Sequence, residues 1–220
     1  MCGKFTQMMS WSEVVAYSQL LAASGDVETV TPMRFAQVIT LDDSGARKSV
    51  PMRWGMVARN AKDPMSGSKH IHARAETIDT LPTFREAFAQ RRGLVAVSTF
   101  NEAKEITPSR REQQVITPKD GRPLAIAVVW ERWTHRTEGE LLTFAMATVP
   151  ANKLISTMTD RMPAFLAPED WSKWLGEEPA SLEEAKALLK TVEGDWEMRP
   201  QTKTPPPPKP PKPKAQQDLF

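Results

Sequence analysis

The sequence predicts an α+β fold, in which a single β-rich domain of mixed and antiparallel strands carries peripheral helices and a disordered proline-rich C-terminal tail. Its 220 residues are 40% hydrophobic and 25% charged, which is typical of one globular domain with appendages. Apolar β-prone runs alternate with helical stretches, but there is no regular βαβ repeat and no glycine-rich phosphate loop. After Arg199 the composition changes abruptly to proline and lysine. These three observations favour α+β over a doubly wound sheet.

The N-terminal part of the domain predicts one helix and one hairpin. Ser10–Glu13 is a capping box that opens a helix, and Gly25 ends it. Two extended stretches follow, Phe35–Leu41 and Lys48–Val57. The turn-forming sequence Asp42–Gly45 lies between them, which predicts a β-hairpin.

The middle of the chain predicts a short helix, a strand and a second hairpin. Thr83–Glu86 is another capping box, and its helix is expected to end near Gly93. The run Leu94–Phe100 reads as a strand. Leu124–Trp130 and Leu141–Thr148 are apolar and β-prone, and the polar segment between them predicts that they pair as a hairpin.

The last part of the domain predicts two short helices, one over Pro168–Leu175 and one from the Ser181–Glu184 box through Leu189. We place the domain at residues 2–199 and an extended, polyproline-like linker at residues 200–215, because proline and lysine alone cannot build a core.

Composition excludes several classes of protein. A single cysteine excludes an internal disulfide framework and a multi-cysteine zinc site, and it suits a reducing compartment, so we expect a cytoplasmic protein. No apolar run approaches the roughly 20 residues that span a bilayer, so no membrane partner is expected. His70 and His135 lack ligand spacing, and we predict neither a metal site nor a cofactor. The net charge of +2 leaves the partner open.

The only cysteine is Cys2, directly after the initiator methionine. Removal of Met1 would give this residue an amine and a thiol on adjacent carbons. Such an aminothiol reacts with an aldehyde in two steps, because the amine forms a Schiff base and the thiolate then closes a thiazolidine ring. The alternative is that Cys2 is an unremarkable residue at a frayed terminus.

Further motifs bear on that choice. In order along the chain they are MCGKF at residues 1–5, RWGM at 53–56, HARAET at 72–77, STFNEAKE at 98–105 and TDRMP at 159–163. Over residues 2–199 this combination resembles the SRAP family, the SOS-response-associated peptidases. The resemblance implies a protein that binds abasic sites in single-stranded DNA. It also implies a covalent link between the N-terminal cysteine and the ring-opened sugar, which protects the lesion during replication and the SOS response. Because an abasic deoxyribose is a masked aldehyde, the implied chemistry agrees with the aminothiol argument.

The resemblance also implies roles for residues in these motifs. Glu102 takes the position of the family's proton-transferring glutamate, and the alternative is a solvated carboxylate at a strand end. His72 stands where the family has an asparagine, and Thr159 stands where it has a histidine that assists ring opening. Since a threonine hydroxyl cannot exchange a proton near pH 7 as imidazole does, His72 is our candidate for the missing acid and base. The alternative is that His72 is only a polar neighbour.

Four other residues are candidates for contact with DNA. Arg74 and Arg161 lie in matched motifs and can grip phosphates, or they can form structural ion pairs with Glu76 or Asp160. Lys4 can favour the thiolate and attract the DNA backbone. Trp54 either stacks near the abasic gap or belongs to the core.

The chain ends in QQDLF, which resembles the pentapeptide that binds the bacterial sliding clamp. In such a motif Leu219 and Phe220 occupy an apolar pocket, while Gln216 and Asp218 belong to the polar part that sets the position of the peptide. A flexible tether would raise its local concentration at the replisome.

Together these features predict an enzyme that captures abasic sites through Cys2 and acts as a monomer. Two alternatives stay open. One is a catalytically weakened single-stranded DNA-binding protein tethered to the clamp. The other is an enzyme that uses the exposed cysteine as an N-terminal nucleophile to hydrolyse peptides or amides, with removal of its own leader as the narrowest case.

Overall fold

The computed structural model describes residues 2–8, 27–121, 124–137 and 139–201. The helix predicted from Ser10 to Gly25 and the segment 202–220 lie outside these residues. Twelve strands in the described part belong to one sheet. They are β1 (Lys4–Met8), β2 (Val27–Val30), β3 (Phe35–Leu41), β4 (Arg47–Trp54), β5 (His72–Arg74), β6 (Arg92–Thr107), β7 (Arg110–Pro118), β8 (Leu124–His135), β9 (Gly139–Pro150), β10 (Arg161–Pro163), β11 (Phe165–Leu166) and β12 (Trp196–Pro200).

The helices in the described residues are short and lie outside the sheet. They are α1 (Pro82–Gln90), α2 (Trp171–Leu175) and α3 (Leu182–Ala187), with 3-10 turns at Pro64–Lys69, Ile155–Thr157 and Pro168–Asp170. Strand thus dominates over helix, and the predicted β-rich α+β class is confirmed.

Both predicted hairpins are present. β3 pairs antiparallel with β4, and the Asp42 carboxylate accepts backbone N–H bonds from Ser44 and Ala46 in the turn. Gly45 in the same turn has φ +81°, which favours glycine. β8 pairs antiparallel with β9 from Val128–Met146 out to His135–Gly139, so this hairpin is longer than the apolar runs indicate.

The three helix starts were anticipated with different accuracy. At Ser181 the capping box is complete, since its hydroxyl accepts from the Glu184 N–H and the Glu184 carboxylate accepts from the Ser181 N–H. At α1 the capping box was wrong, because Leu81 is the N-cap and contributes no side-chain bond. The helix itself forms there, because Pro82 is a favourable first residue and Phe84, Ala87 and Phe88 are buried against the sheet. The predicted helix over Pro168–Leu175 is observed as a 3-10 turn followed by α2.

The sheet is centred on β6, which is 16 residues long and pairs with β1, β3, β7 and β8. Its residues Gly93–Val97 are buried on both faces, so this stretch reads as a continuous apolar run rather than an alternation. Within the described residues no helix is both long enough and apolar enough to cross a membrane.

The first residues of the chain lie at one end of this sheet. β1 pairs antiparallel with β6, and Lys4 is opposite Asn101. Phe5, next along β1, has no exposed surface and packs against Trp54 with ring centroids 5.1 Å apart. Burial of Phe5 and strand pairing therefore hold the segment that begins with Cys2 against the domain.

Candidate functional site

A cleft of about 430 Å³ opens at the N-terminal end of β1. Its lining includes Cys2, Gly3, Ser68, Lys69, His72 and Arg74. Three segments that are far apart in sequence meet here: the chain start, the 3-10 turn at Pro64–Lys69, and β5. The structure thus brings together Cys2 and two of the residues predicted from the HARAET motif.

Two glycines allow the 3-10 turn to reach the cleft. A Cβ atom on Gly67 would lie 2.2 Å from the Gly55 carbonyl oxygen, and Gly55 itself has φ +129°. Only glycine at both positions permits this backbone-to-backbone contact. The contact packs the turn onto the RWGM segment and leads the chain into β5, which pairs in parallel with β9 from His72–Met146 to Arg74–Thr148.

Cys2 is buried, with 2% of its surface exposed, and its thiol donates to the Lys4 carbonyl oxygen at 3.2 Å. The pKa of the thiol is raised to about 12, chiefly by burial and to a smaller extent by the Glu102 carboxylate. The backbone of Lys4 and Asn101 and the positive N-terminus oppose that rise. At neutral pH the thiol is therefore protonated, and it needs a proton acceptor before it can act as a nucleophile.

His72 contacts the same residue from β5. Its Nε2 atom lies 2.8 Å from the Cys2 carbonyl oxygen. Burial lowers the pKa of the imidazole to about 4, so the ring is neutral at pH 7. Because a carbonyl oxygen can only accept, Nε2 carries the proton and Nδ1 keeps its lone pair.

Glu102 lies on β6, behind Cys2 and outside the residues that line the cleft. Its side chain is 4% exposed, and its charge acts on the Cys2 thiol. The carboxylate at this strand position is thus buried beside the cysteine rather than solvated. The neighbouring Asn101 is also buried, and its backbone stabilises the Cys2 thiolate. Sequence reasoning missed Asn101, although it lies within the STFNEAKE motif, because its backbone and not its side chain makes the contact.

Trp54 lies in the core, so the DNA-stacking prediction is corrected in favour of its alternative. The side chain has no exposed surface, and its indole stacks on Phe144 at 6.3 Å between centroids. Its Nε1–H donates to the Ile71 carbonyl at 2.8 Å, and its ring meets the His72 ring edge-on at 6.0 Å. Trp54 therefore packs against His72, the residue that contacts the Cys2 carbonyl.

The two candidate arginines have different environments. Arg74 is exposed on the rim of the cleft. Arg161 is 8% exposed and forms a bidentate ion pair with Glu76, with N–O distances of 2.5 and 2.9 Å. Its guanidinium also donates to the Thr148 carbonyl at 2.6 Å and lowers the pKa of Glu76. For Arg161 the ion-pair alternative describes the structure, and a phosphate would have to displace Glu76.

The other predicted residues lie at or beyond the edge of the cleft. Lys4 is half-buried and contributes its carbonyl to the Cys2 thiol. Thr159 is half-buried outside the cleft lining, and its hydroxyl lies 3.5 Å from Asp160 Oδ1. The predicted clamp-binding residues Gln216, Asp218, Leu219 and Phe220 fall outside the described residues. Among the residues that the structure describes, no group of three histidine, cysteine or acidic side chains could hold a metal ion.

The sequence matches one family model, that of the SOS response associated peptidase, over residues 1–204. Among curated relatives, the abasic site processing protein YobE of Bacillus subtilis is 29% identical over 201 residues, which cover 89% of this chain and 91% of the relative. The abasic site processing protein YoqW of the same bacterium is 28% identical over 200 residues, or 89% of each chain.

Solved structures share the fold. A protein of Bordetella bronchiseptica superimposes with a TM-score of 0.76 at 21% identity, covering 91% of this chain and all of that one. A protein of Bacteroides thetaiotaomicron gives 0.73 at 22% identity, covering 89% and 91%. At this identity the likeness concerns the arrangement of strands and helices.

Proposed function

The chain belongs to the SOS response associated peptidase family, and on this premise we propose that it binds abasic sites in single-stranded DNA and joins them covalently to Cys2 after Met1 is removed. Relatives across nearly the whole chain are named abasic site processing proteins. The observation that carries the proposal is the convergence of Cys2, His72 and Arg74 on one cleft, with Glu102 acting on the same thiol.

The proposed reaction joins the aminothiol to the aldehyde carbon of the ring-opened sugar. The Cys2 amine adds to that carbon, and loss of water gives a protonated imine. The sulfur then forms a bond to the same carbon, and the electron pair of the C=N bond moves to nitrogen. The thiol proton leaves sulfur and the iminium nitrogen becomes an amine, so the net change is aldehyde plus aminothiol to thiazolidine plus water. Proximity of amine and thiol replaces a second bimolecular encounter.

In the proposed reaction, Glu102 accepts the thiol proton and His72 positions Cys2. Because burial raises the pKa of the Cys2 thiol to about 12, an acceptor must remove its proton during ring closure, and we assign this to the nearby Glu102 carboxylate. His72 holds the Cys2 carbonyl through Nε2–H. This bond orients the nucleophile, and the lone pair on Nδ1 offers a second path for a proton.

The roles of His72 can be separated by two substitutions. His72→Asn retains an N–H donor for the Cys2 carbonyl but has no exchangeable ring proton, whereas His72→Ala has neither. If His72 only orients Cys2, crosslinking slows about 10-fold or more in His72→Ala and much less in His72→Asn. Equal losses would assign it proton transfer, and two unchanged rates would remove it from the mechanism.

The main test mixes the mature protein with single-stranded DNA that contains one abasic site. We expect an adduct that survives denaturation and whose intact mass equals protein plus DNA minus one water. Cys2→Ser should bind the DNA but give no such adduct. Retention of Met1, measured by intact mass, should also block it, because the amine is then an amide.

Thr159 supports a second candidate, a weakened DNA-binding protein. Its hydroxyl replaces the imidazole that the family resemblance implies, and it cannot supply a proton near pH 7. Abasic DNA bound without any adduct, in protein shown to lack Met1, would favour this candidate.

We further propose that QQDLF tethers the protein to the sliding clamp. The sequence pattern alone supports this. Deletion of residues 216–220 should abolish capture on immobilised clamp and leave the DNA adduct intact. Clamp capture by the shortened chain would contradict the proposal.

A further inference from the structure

A further groove, of about 450 Å³, opens on the surface between the start of β3 and the strand pair β1–β2. Its lining combines one aromatic ring, one cation and several hydrogen-bonding side chains: Phe35, Arg34, Gln7, Gln37, Thr29 and Thr31. We call it the β3 groove. We propose that it binds a neighbouring nucleotide of the DNA strand that reaches Cys2, with the base stacked on Phe35. This inference rests on the proposed function, because single-stranded DNA is its ligand.

Phe35 is the residue of the groove that is placed to stack on a base. Its side chain is 53% exposed, and it points outward because the next residue, Ala36, is buried towards the core. Arg34 beside it is also exposed. An exposed ring next to an exposed guanidinium suits a nucleotide, which has a flat base and a charged phosphate.

Hydrogen bonds at this edge of β3 favour a nucleotide over an extended peptide. A peptide strand added here would need the backbone N–H of Gln37, but the Gln7 side-chain carbonyl already accepts from it at 2.9 Å. The side-chain carbonyl of Gln37 accepts from the Ser49 hydroxyl at 3.0 Å, which leaves its amide N–H groups for a ligand. Every base carries acceptor atoms, so these donors do not require one particular sequence.

The β3 groove and the cleft lie along the same segment of chain. Gly3 lines the cleft, and Gln7, four residues later, lines the groove. An extended chain rises about 3.3 Å per residue, so these two positions are about 13 Å apart. A stacked DNA strand advances about 3.4 Å per nucleotide, and about four nucleotides or fewer therefore span this distance.

The 3-10 turn at Pro64–Lys69 lies between the groove and the cleft. Phe35 is opposite Arg53 in the β3–β4 pair, and the Arg53 guanidinium donates to the carbonyl of the first residue of the turn. The end of the turn, including Lys69, lines the cleft. One end of the turn is thus bonded next to Phe35 while the other borders Cys2, so a DNA strand that crosses the turn meets both.

Charge along this path favours a polyanion. None of the described residues that line the groove or the cleft is acidic. Three exposed cations lie along the path: Arg34, Lys69 and Arg74. Of the carboxylates beside it, Asp63 acts on the Arg53 guanidinium and Glu76 is paired with Arg161. The exposed cations outnumber the remaining carboxylate, that of Glu28 on β2, and leave a net positive charge.

Strand length measures whether the groove is used. We would prepare Phe35→Ala in full-length Cys2→Ser protein, which cannot form the adduct, and titrate it by fluorescence anisotropy with two labelled single strands. Both contain one abasic site, but one has about six nucleotides on each side of it and the other about one, too few to reach the groove. Phe35→Ala should weaken binding of the longer strand about 10-fold through loss of stacking, and that of the shorter strand less than about 2-fold.

Arg34 provides a second, electrostatic measurement. In Arg34→Gln, the slope of log K against log salt concentration should fall in magnitude by about 0.7 on the longer strand, because one phosphate contact is lost. The slope on the shorter strand should not change. Arg34→Lys keeps the charge and should keep both slopes.

Two matched variants complete the test. Phe35→Trp retains a flat ring and should bind the longer strand at least as tightly as the parent. Leu182→Ala removes an apolar side chain that is similarly exposed but lies on α3, outside the groove lining, and should change neither affinity. Equal affinity of Phe35→Ala and the parent for the longer strand, or an equal loss on both strands, would overturn the inference.

Adduct formation separates this inference from the proposed function. Protein with Cys2 and Phe35 unchanged is mixed with the longer strand. An adduct, together with no effect of Phe35→Ala on affinity, would reject the groove alone. A length-dependent effect of Phe35→Ala without any adduct would reject the covalent reaction and keep the groove as a DNA-binding subsite.

Discussion

Two short strands pair with the end of β9, and they differ in direction and in burial. β5 pairs with β9 in parallel from His72 to Arg74, and β10 pairs with it antiparallel from Arg161 to Pro163. All three residues of β10 are buried, whereas β5 presents His72 and Arg74 to the cleft. Both strands come from motifs of the same family resemblance. Motifs of one family can thus stabilise the scaffold on one side of a strand and line the cleft on the other.

The Arg161–Glu76 pair connects the two sides. Glu76 follows β5 along the chain, and Arg161 opens β10, so their ion pair crosses the end of β9. The bond from Arg161 to the Thr148 carbonyl anchors the guanidinium to the strand between them. Arg161 thus fixes the strand from which His72 and Arg74 extend.

The largest effect is expected from breaking the support beneath β5. Gly67→Ala places a Cβ atom against the Gly55 carbonyl, where the backbone must shift, and should lower the free energy of unfolding by about 3 kcal/mol. Urea denaturation measures this. Ser68→Ala, at the next position on the exposed side of the turn, is the control and should change it by less than about 0.5 kcal/mol. Similar stability of both variants would show that the two backbones need not approach each other.

Arg161→Ala tests whether β10 is structural. Loss of the bidentate pair and of the Thr148 bond should cost about 2 kcal/mol of unfolding free energy, below the usual figure for a buried pair because Glu76 is 48% exposed. Urea denaturation again measures it. Arg161→Lys keeps the charge but not the two-pronged geometry, so an intermediate loss is expected. An Arg161→Ala protein of unchanged stability that has lost DNA binding would assign β10 to the ligand instead.

The pH dependence of stability tests the environment of His72. Burial lowers the pKa of His72 in the folded protein to about 4 from 6.5. As pH falls below 6.5, this histidine therefore becomes protonated in the unfolded chain while it stays neutral in the folded chain. Stability should therefore drop as pH falls, by roughly 2 kcal/mol between pH 7 and pH 5 from this group.

The matched control for that measurement is His72→Asn, which lacks the titrating ring. Carboxylates such as Glu76 titrate in both proteins, so the difference between the two pH profiles isolates His72. Parallel profiles would mean that the imidazole is not desolvated.

The smallest effect on folding is expected at Arg74. Arg74→Ala should leave the unfolding free energy within about 0.5 kcal/mol, because the side chain is exposed. Binding of Cys2→Ser protein to abasic single-stranded DNA should weaken about 10-fold if Arg74 grips a phosphate. Anisotropy titration measures the affinity, and Arg74→Lys should recover part of it. Unchanged affinity would show that Arg74 does not hold a phosphate, and this part of β5 would then have no role in DNA binding.

Much of the framework was predictable from local patterns. The turn at Asp42–Gly45 and the Ser181 capping box could be predicted because their side chains form hydrogen bonds with backbone groups only a few residues away. The full length of β6 was not predictable. Its apolar run ends near Phe100, while the strand continues through polar residues to Thr107 because β7 pairs with it there. That pairing is non-local and leaves no local signal.

The candidate site shows the same limit. Motif residues identified Cys2, His72 and Glu102, which the structure brings to one place. The same motifs could not show that Arg74 is exposed and Arg161 is buried. That difference arises because Arg74 lies on β5 and Arg161 on β10, which pair with different parts of the end of β9. The sequence could not decide whether Trp54 is exposed or buried. It is buried because Phe5 and Phe144 pack against it.

The position of Cys2 in the lining of the cleft has a practical consequence for anyone who produces this protein. A purification tag or fluorescent fusion placed before Met1 would keep the Cys2 nitrogen in an amide bond and attach a foreign peptide next to a residue that lines the cleft. Such a fusion could fold, elute and crystallise normally while lacking the group that the proposed chemistry requires. Recombinant protein for activity assays should therefore begin at its own methionine and be expressed with an active methionine aminopeptidase.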